Sequence, residues 1–369
     1  MKLPIQAFLC FLLFVTNSFA DSYPKVSGDI LLMGQADYIS STEATNIKKN
    51  NIFLYSEADF ALNFDKNWSI KTQWRSFPNS QIRSHQYYDF NRFYSFNDGD
   101  RGINVDDQAV VIEELKLDFK NEDLNFYLGK FDPGFGNAHH KSKRLGVFTW
   151  QFNEDYNLRE KIGGGISALL ENSIISFSTF FNDTTGLSKS TVQERGRASR
   201  DSGIAGSNGT LSSYLVEIDG KDFFGVENLY YNFGYRDLGI DNALNRRGET
   251  GYVAGFEYLY HLSSKTKFVP LFEAVKIDDF GGAKGRDALY YTLSLVANYS
   301  SWSASTTYNK REIKSGNQDG TKIADNMLQA TIGYKINRNM TLDVTRAQIK
   351  ESGHKSTIFG ANLSYLYQF

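Results

Sequence analysis

Very little in this chain could cross-link or kink it. Its 369 residues include 1 Cys and 5 Pro. The cysteine, Cys10, lies in a leading segment that reads as removable, which takes disulfides and thiol catalysis away from the remainder. No charge of one sign dominates either: 40 Lys and Arg stand against 42 Asp and Glu. Affinity for nucleic acid rests on neutralising phosphates, so this balance argues against nucleic acid as a partner. Long apolar runs are missing too. Beyond residue 20 none reaches the roughly 18 or more residues of a membrane-spanning helix, and a helical bundle is excluded.

The first 20 residues have Lys2, an apolar stretch from Ala7 to Val15, and Ser18-Phe19-Ala20 before Asp21. That order is expected of a secretory signal peptide, with residues 21–369 as one exported domain. Exported chains without spanning helices are either water-soluble or β-barrels, and the strand pattern decides between them.

Aromatic residues are abundant, with 29 Phe, 22 Tyr and 4 Trp. At the C-terminus Phe359, Ala361, Leu363, Tyr365, Tyr367 and Phe369 alternate with Gly360, Asn362, Ser364 and Gln368. Leu54, Ala58, Phe60 and Leu62 alternate in the same way with Tyr55, Glu57, Asp59 and Asn63. Period-2 alternation of this kind makes strands with one apolar face and one polar face. It predicts sixteen: 27–38, 51–64, 68–77, 109–119, 124–131, 161–170, 173–182 and 212–219, then 223–236, 250–262, 266–278, 287–299, 302–313, 323–336, 339–349 and 355–369. Seven short turns alternate with eight longer connectors near 39–50, 78–108, 132–160, 183–211, 237–249, 279–286, 314–322 and 350–354. The expected fold is all-β, a 16-stranded antiparallel transmembrane β-barrel with short periplasmic turns, because even strand number and unequal ends are the marks of outer-membrane barrels. Phe64, Trp68, Tyr260, Phe268, Tyr299 and Trp302 fall at the turn ends and Trp74, Phe77, Tyr235 and Tyr252 toward the loop ends, as two interfacial girdles require.

The terminal run Leu363, Tyr365, Tyr367, Phe369 resembles the insertion signal read by the barrel-assembly machinery of Gram-negative bacteria. Leu128-Gly129-Lys130-Phe131-Asp132-Pro133-Gly134-Phe135-Gly136 resembles the strand-to-loop motif of Gram-negative porins, including those related to the phosphate-selective porin O/P-like group. Glu154-Asp155-Tyr156, Glu160-Lys161-Ile162-Gly163 and the segment Ser178 to Thr185 are also similar to that group. The resemblance implies an outer-membrane homotrimer of sixteen-stranded barrels in contact with lipid bilayer and lipopolysaccharide. It also implies a third loop folded into the lumen, here 132–160. Inward bases do not form the dense run expected of a phosphate pore; the signs alternate.

Parity assigns the water-facing charges. With Leu54, Ala58, Ile70 and Trp74 outward, Glu57, Asp59, Lys71 and Arg75 line the lumen, and so do Lys161, Glu217, Asp219, Arg236, Glu257, Arg311, Lys335 and Asp343. Lys130 shares parity with Leu128, yet at a strand end it can snorkel or follow a bulge into the pore. The third loop adds His139, His140, Lys141, Lys143 and Arg144, then Glu154 and Asp155. Acids and bases facing each other across a constriction would orient small hydrophilic solutes or ions; the alternative is a solvated loop tip.

No residue set points to a cofactor. His139-His140 is a poor metal pair, since adjacent rings rarely meet one ion. Asp98, Asp100, Asn104, Asp106 and Asp107 have oxygens but not the complete spacing of a calcium loop. A barrel hydrolase would have to use His85, His261 or His354, none of which sits in a nucleophile motif, and an adhesin would need longer loops. The reading from sequence is therefore a diffusion channel.

Overall fold

The computed structural model describes residues 23–45, 47–78, 102–105, 108–191, 205–240, 248–314 and 322–369. The expected signal segment, His85 and four of the five acidic-cluster residues (Asp98, Asp100, Asp106 and Asp107) lie outside them. Sixteen wall strands close into one antiparallel barrel. They are β1 Lys25–Thr42, β2 Asn50–Asn63, β3 Trp68–Pro78, β4 Gln108–Lys120, β5 Leu124–Phe131, β6 Lys161–Leu169, β7 Ser173–Asn182 and β8 Ser213–Gly220. The circuit continues with β9 Leu229–Leu238, β10 Glu249–Tyr258 with its extension Tyr260–His261, β11 Thr266–Asp278 and β12 Ala288–Tyr299. Last come β13 Trp302–Lys314, β14 Lys322–Lys335, β15 Met340–Glu351 and β16 His354–Gln368. Among the described residues no helix is long and apolar enough to cross a membrane.

Closure is made by β1, which pairs with β2 on one edge and with β16 on the other, from Asp29 opposite Gln368 to Thr42 opposite Ser356. Reciprocal backbone bonds of 3.1 Å between Gly28 and Phe369 finish the seam. A barrel leaves no strand edge unpaired, which is what a strand needs in hydrocarbon.

Four of the turn-end connections share one chemistry. Asp65, Asn121 and Asn337 each turn a side-chain oxygen to accept two backbone N–H groups, at 2.7–2.9 Å, and Ser263 does the same at 3.1 and 3.3 Å. Short polar side chains thereby satisfy the donors that a tight reversal exposes.

Two connections differ from expectation. The span 223–228 is not the start of a strand but part of an eight-residue turn, 221–228, and β9 begins at Leu229. Its apolar residues are spent on the outer wall: the Phe223 ring packs 4.7 Å from Tyr231, 5.7 Å from Phe233 and 5.5 Å from Phe256. At the opposite end the last connector is only Ser352-Gly353, both at positive φ (50° and 85°), the geometry of a two-residue hairpin.

Outside the wall the apolar parity face is exposed, with Leu128 56%, Val344 53% and Leu328 50% accessible. Trp68 with Phe119 and Trp302 with Tyr334 form ring pairs at the turn end, and Tyr235 with Tyr252 at the loop end. Phe77 departs from its expected place in a girdle: it points inward and packs with Ala109 and Val111.

Inside, the loop end of the barrel is filled by residues 132–160, which contain two short helices, α1 Ser142–Leu145 and α2 Trp150–Glu154. Phe135, Tyr156 and Leu158 join Phe131, Phe180 and Val253 in one buried cluster. Phe148 and Phe152 join Ile39, Met327 and Ile358 in another. The loop thus reaches from β5 to the β14–β16–β1 wall. Burying each such side chain stabilises the inward fold by about 1.5–3 kcal/mol, which removes the reading of 139–144 as a solvated tip.

Gly360 is where this packing leaves no slack. A β-carbon there would lie 2.7 Å from the Phe148 ring and 3.2 Å from Thr345. Gly360→Val is expected to lower barrel stability by about 1–3 kcal/mol, the usual cost of overpacking. Urea unfolding in micelles measures it, and an unchanged midpoint would show that Phe148 does not rest on this wall.

Candidate functional site

The loop is held by buried ion pairs and hydrogen bonds. Glu273 on β11 accepts from the backbone N–H groups of Asn137 (2.5 Å) and Ala138 (2.9 Å) and from the Tyr156 hydroxyl (2.6 Å), so one carboxylate grips both ends of the excursion. Arg311 on β13 meets Asp155 of the loop at 3.0 Å, Asp325 at 2.6 Å and Glu351 at 3.1 Å. Arg236 on β9 pairs with Glu249 and donates to the Tyr156 carbonyl. Arg159 joins Glu154 at 2.6 Å and Glu113 at 3.1 Å, and Glu113 also meets Arg75 at 2.5 Å. Charge-assisted bonds of this kind are strong and directional, and a buried carboxylate with several donors is satisfied.

Around α1 the charges divide by helical spacing. Lys141 and Arg144, three residues apart, both turn to Glu257 on β10, with Lys141 at 2.9 Å. His140 and Lys143, also three apart, are exposed to the lumen instead. Lys143 interacts electrostatically with Glu57, Asp29 and Asp59 on β1–β2 and is repelled by Arg75. Although water reaches its surface, the protein packed around it desolvates the ammonium and pulls it below the ordinary lysine range, which Glu57 partly offsets.

The facing wall carries both signs in pairs, two across neighbouring strands and the third, Lys116 with Glu114, along β4. Lys71 meets Asp118 at 2.8 Å, Arg75 meets Glu57 at 2.9 Å, and Lys116 meets Glu114 at 2.7 Å. Gln73 donates to Asp59 at 2.9 Å. The exposed face of α1 thus lies on one side and these strands on the other.

His140 is faced by Arg75, Asp219, Glu114 and Glu57. Desolvation by the protein around this solvent-touching ring first, and Arg75 second, lower its pKa from 6.5, so the ring is neutral at pH 7 and gains its proton only as pH falls through the lowered value. Protonation adds a positive charge to the aperture. The cation-to-anion permeability ratio is expected to fall as pH drops below the ordinary imidazole value of 6.5, and by less in His140→Asn, as read from reversal potentials across a salt gradient; equal drops would remove His140 from the aperture.

Of the residues singled out from sequence, Glu57, Asp59, Lys71 and Arg75 lie together on the inner face of β2–β3, and His140 and Lys143 lie opposite. His139 turns away to Arg159 (3.1 Å) and Glu154 (3.5 Å). Lys161, Arg236 and Arg311 face inward but are 5%, 1% and 1% exposed beneath the loop. Lys130 needs correction as a lining residue. Register puts it on the face of Leu115 and Leu128, and its ammonium is buried between Glu160 and Asp183, each at 2.8 Å, and the Leu187 carbonyl at 3.0 Å. The segment Asp183–Thr191 covers it, bonding back to Val110 on the part of β4 that β5 leaves unpaired. Asp29, Glu113, Arg159 and Glu273 were not singled out. Glu273 obeyed the parity rule, whereas Glu113 sits in the β-bulge opposite Gln73/Trp74, where parity breaks.

Among the described residues no group of His, Cys, Asp and Glu is arranged to hold a metal ion. No protein-family description matches the sequence, and no curated protein sequence does. Solved structures match in fold. OccAB3 of Acinetobacter baumannii is 10% identical, with 95% of this chain and 100% of that one covered and a TM-score of 0.55. OpdK of Pseudomonas aeruginosa, crystallised with vanillate, is 8% identical over 93% and 99%, TM-score 0.54. OmpT, an outer membrane protein of Vibrio cholerae, is 9% identical over 95% and 100%, TM-score 0.52. The chain has the fold of a Gram-negative outer-membrane barrel. At such identities the likeness concerns fold alone, and it lends nothing to the narrower resemblance to phosphate-selective porins.

Proposed function

We propose that the chain is an outer-membrane porin, a water-filled channel through which ions and small hydrophilic solutes diffuse. The observation that carries this reading is a folded loop fixed across the lumen by buried ion pairs, with His140 and Lys143 set opposite Glu57, Asp59, Lys71 and Arg75. A sixteen-stranded wall leaves an aqueous bore, and its selectivity depends on width and lining charge. Lys143 facing Asp29, Glu57 and Asp59 makes a local transverse field, while cross-strand pairing elsewhere keeps the lining mixed.

In this reading the apolar belt contacts bilayer and lipopolysaccharide, and the barrel-assembly machinery reads the closing strand. Leu363, Tyr365 and Tyr367 on that strand are 45%, 37% and 38% exposed, and Phe369 lies 6.0 Å from Phe60. Three copies form the working unit. Reconstitution in a planar bilayer tests all of this, with stepwise conductance in groups of three expected and a reversal potential reporting sign. Vanillate, the ligand crystallised with OpdK, is a useful first organic solute. A correctly folded barrel that never conducts would overturn the channel reading.

A further inference from the structure

Where β5 stops at Phe131 and the chain turns into the lumen, the wall loses a strand. β4 runs on, yet β5 pairs only with its residues 115–120, so residues 108–114 have no partner strand on that side among the described residues. The segment 183–191 takes the place. Thr191 donates its backbone N–H and its hydroxyl to the Val110 carbonyl, at 2.8 and 3.1 Å. Within the segment Asp183 accepts from the N–H and the hydroxyl of Thr185, at 2.8 and 2.6 Å, and the Thr185 oxygen accepts from the Leu187 N–H at 3.2 Å. These bonds make it a built turn.

One ammonium joins that turn to the loop that narrows the lumen. Lys130 and Asp183 are fully buried and 2.8 Å apart, Glu160 lies 2.8 Å from the same nitrogen, and the Leu187 carbonyl accepts from it at 3.0 Å. Glu160 is the exit of the loop. Its N–H donates to Asp132 at the loop entry, 2.7 Å away, and its carbonyl accepts from the Asp183 N–H at 2.9 Å. Its φ of 53° is left-handed, a conformation that a non-glycine residue keeps only where its surroundings over-determine it. Loop entry, loop exit and outer segment therefore meet at one buried cation. We infer that Lys130 is a positioning residue for the aperture. Through Glu160 and Asp183 it pins the loop root to the segment 183–191, and so sets from behind the wall how near Lys143 stands to Glu57 and Asp59. The pin follows from the fold; its effect on permeation rests on the channel reading.

Lys130→Met leaves Glu160 and Asp183 facing each other without a cation, and their repulsion drives loop root and segment apart. In detergent micelles, hydrogen exchange read by mass spectrometry should show the amides of Glu160, Asp183 and Leu187 exchanging about 100-fold faster, the size expected when one member of a buried ion cluster is removed. In a planar bilayer the effect of Lys143→Glu on the cation-to-anion permeability ratio is roughly 200-fold at a charge-to-ion distance of about 5 Å. In the Lys130→Met chain it should shrink to about 15-fold as the released loop lets that distance double. Lys130→Arg, which keeps the cation, should restore both. A lysine that matters only for folding would lower the urea midpoint and leave the Lys143 effect at its native size, and that result overturns the assignment. If Lys130→Met does not fold, Glu160→Gln and Asp183→Asn each leave the ammonium one carboxylate. The first should release the loop and cut the Lys143 effect, and the second should speed exchange in the segment 184–191 alone; an equal Lys143 effect in the two chains overturns the pin as well. A native barrel that never conducts removes the channel reading, and the exchange comparison then decides the pin by itself.

Discussion

Arg311→Met is expected to destabilise the barrel by about 3–5 kcal/mol, the loss that follows when one partner of a buried ion cluster is removed. Arg311 is 1% exposed and holds Asp155, Asp325 and Glu351 together, with the Phe152 ring 5.0 Å from its guanidinium. Methionine keeps the hydrophobic stem and removes the cation, leaving three carboxylates to share a dry site. They relieve their repulsion by taking protons or by letting Asp155 swing away. The second route frees the C-terminal half of the loop, so single-channel records should also become noisier. Urea unfolding in micelles gives the stability term. Neutralising the three acids in the same chain, with Asp155→Asn, Asp325→Asn and Glu351→Gln, should return most of it. A loss under about 1 kcal/mol for Arg311→Met would mean that surface ion-pair energetics apply here, and that the loop is held by packing alone.

This cluster also shows how far a sequence reaches in such a fold. Strand number and facing were legible because lipid outside and water inside impose one period on every wall strand, as in the alternation of Leu363, Tyr365 and Tyr367 with Asn362 and Ser364. Parity likewise brought Glu57, Asp59, Lys71 and Arg75 to one surface. It fails where the wall is not a simple ladder. Phe223 has the composition of a strand residue, yet it lies within a turn because Tyr231, Phe233 and Phe256 offer its ring an aromatic bed outside the barrel. Lys130 has outward parity and is nonetheless buried, because Asp183 returns over it from the next loop. Inward facing also differs from facing water. Arg236 and Arg311 point into the barrel and never see the aperture, since the loop that narrows the channel consumes them as anchors. Which of Lys141, Lys143 and Arg144 remains for solute depends on the position of Glu257 on a strand over a hundred residues away, and local spacing has no access to that.

Lys143→Glu is the substitution that should change selectivity most. Lys141 and Arg144 are already occupied by Glu257, whereas Lys143 is exposed among Glu57, Asp29 and Asp59. A unit charge about 5 Å from a passing ion contributes about 0.8 kcal/mol at the dielectric of water. Reversing the sign changes that by two units, about 1.6 kcal/mol in favour of a cation and as much against an anion, so the cation-to-anion permeability ratio rises by about 3.2 kcal/mol, or roughly 200-fold. The native lysine works against cations, so the glutamate variant should shift the reversal potential toward cation preference, and the shift should shrink at 1 M salt where the Debye length is about 3 Å. Lys141→Glu supplies the contrast, because it places a second carboxylate against Glu257 and so perturbs the loop instead of the water beside it. Its signature should be lost stability with a smaller change in ratio. If the two variants alter selectivity equally, the division of charge around α1 does not govern permeation; if neither does, the narrowest part of the channel lies away from this loop.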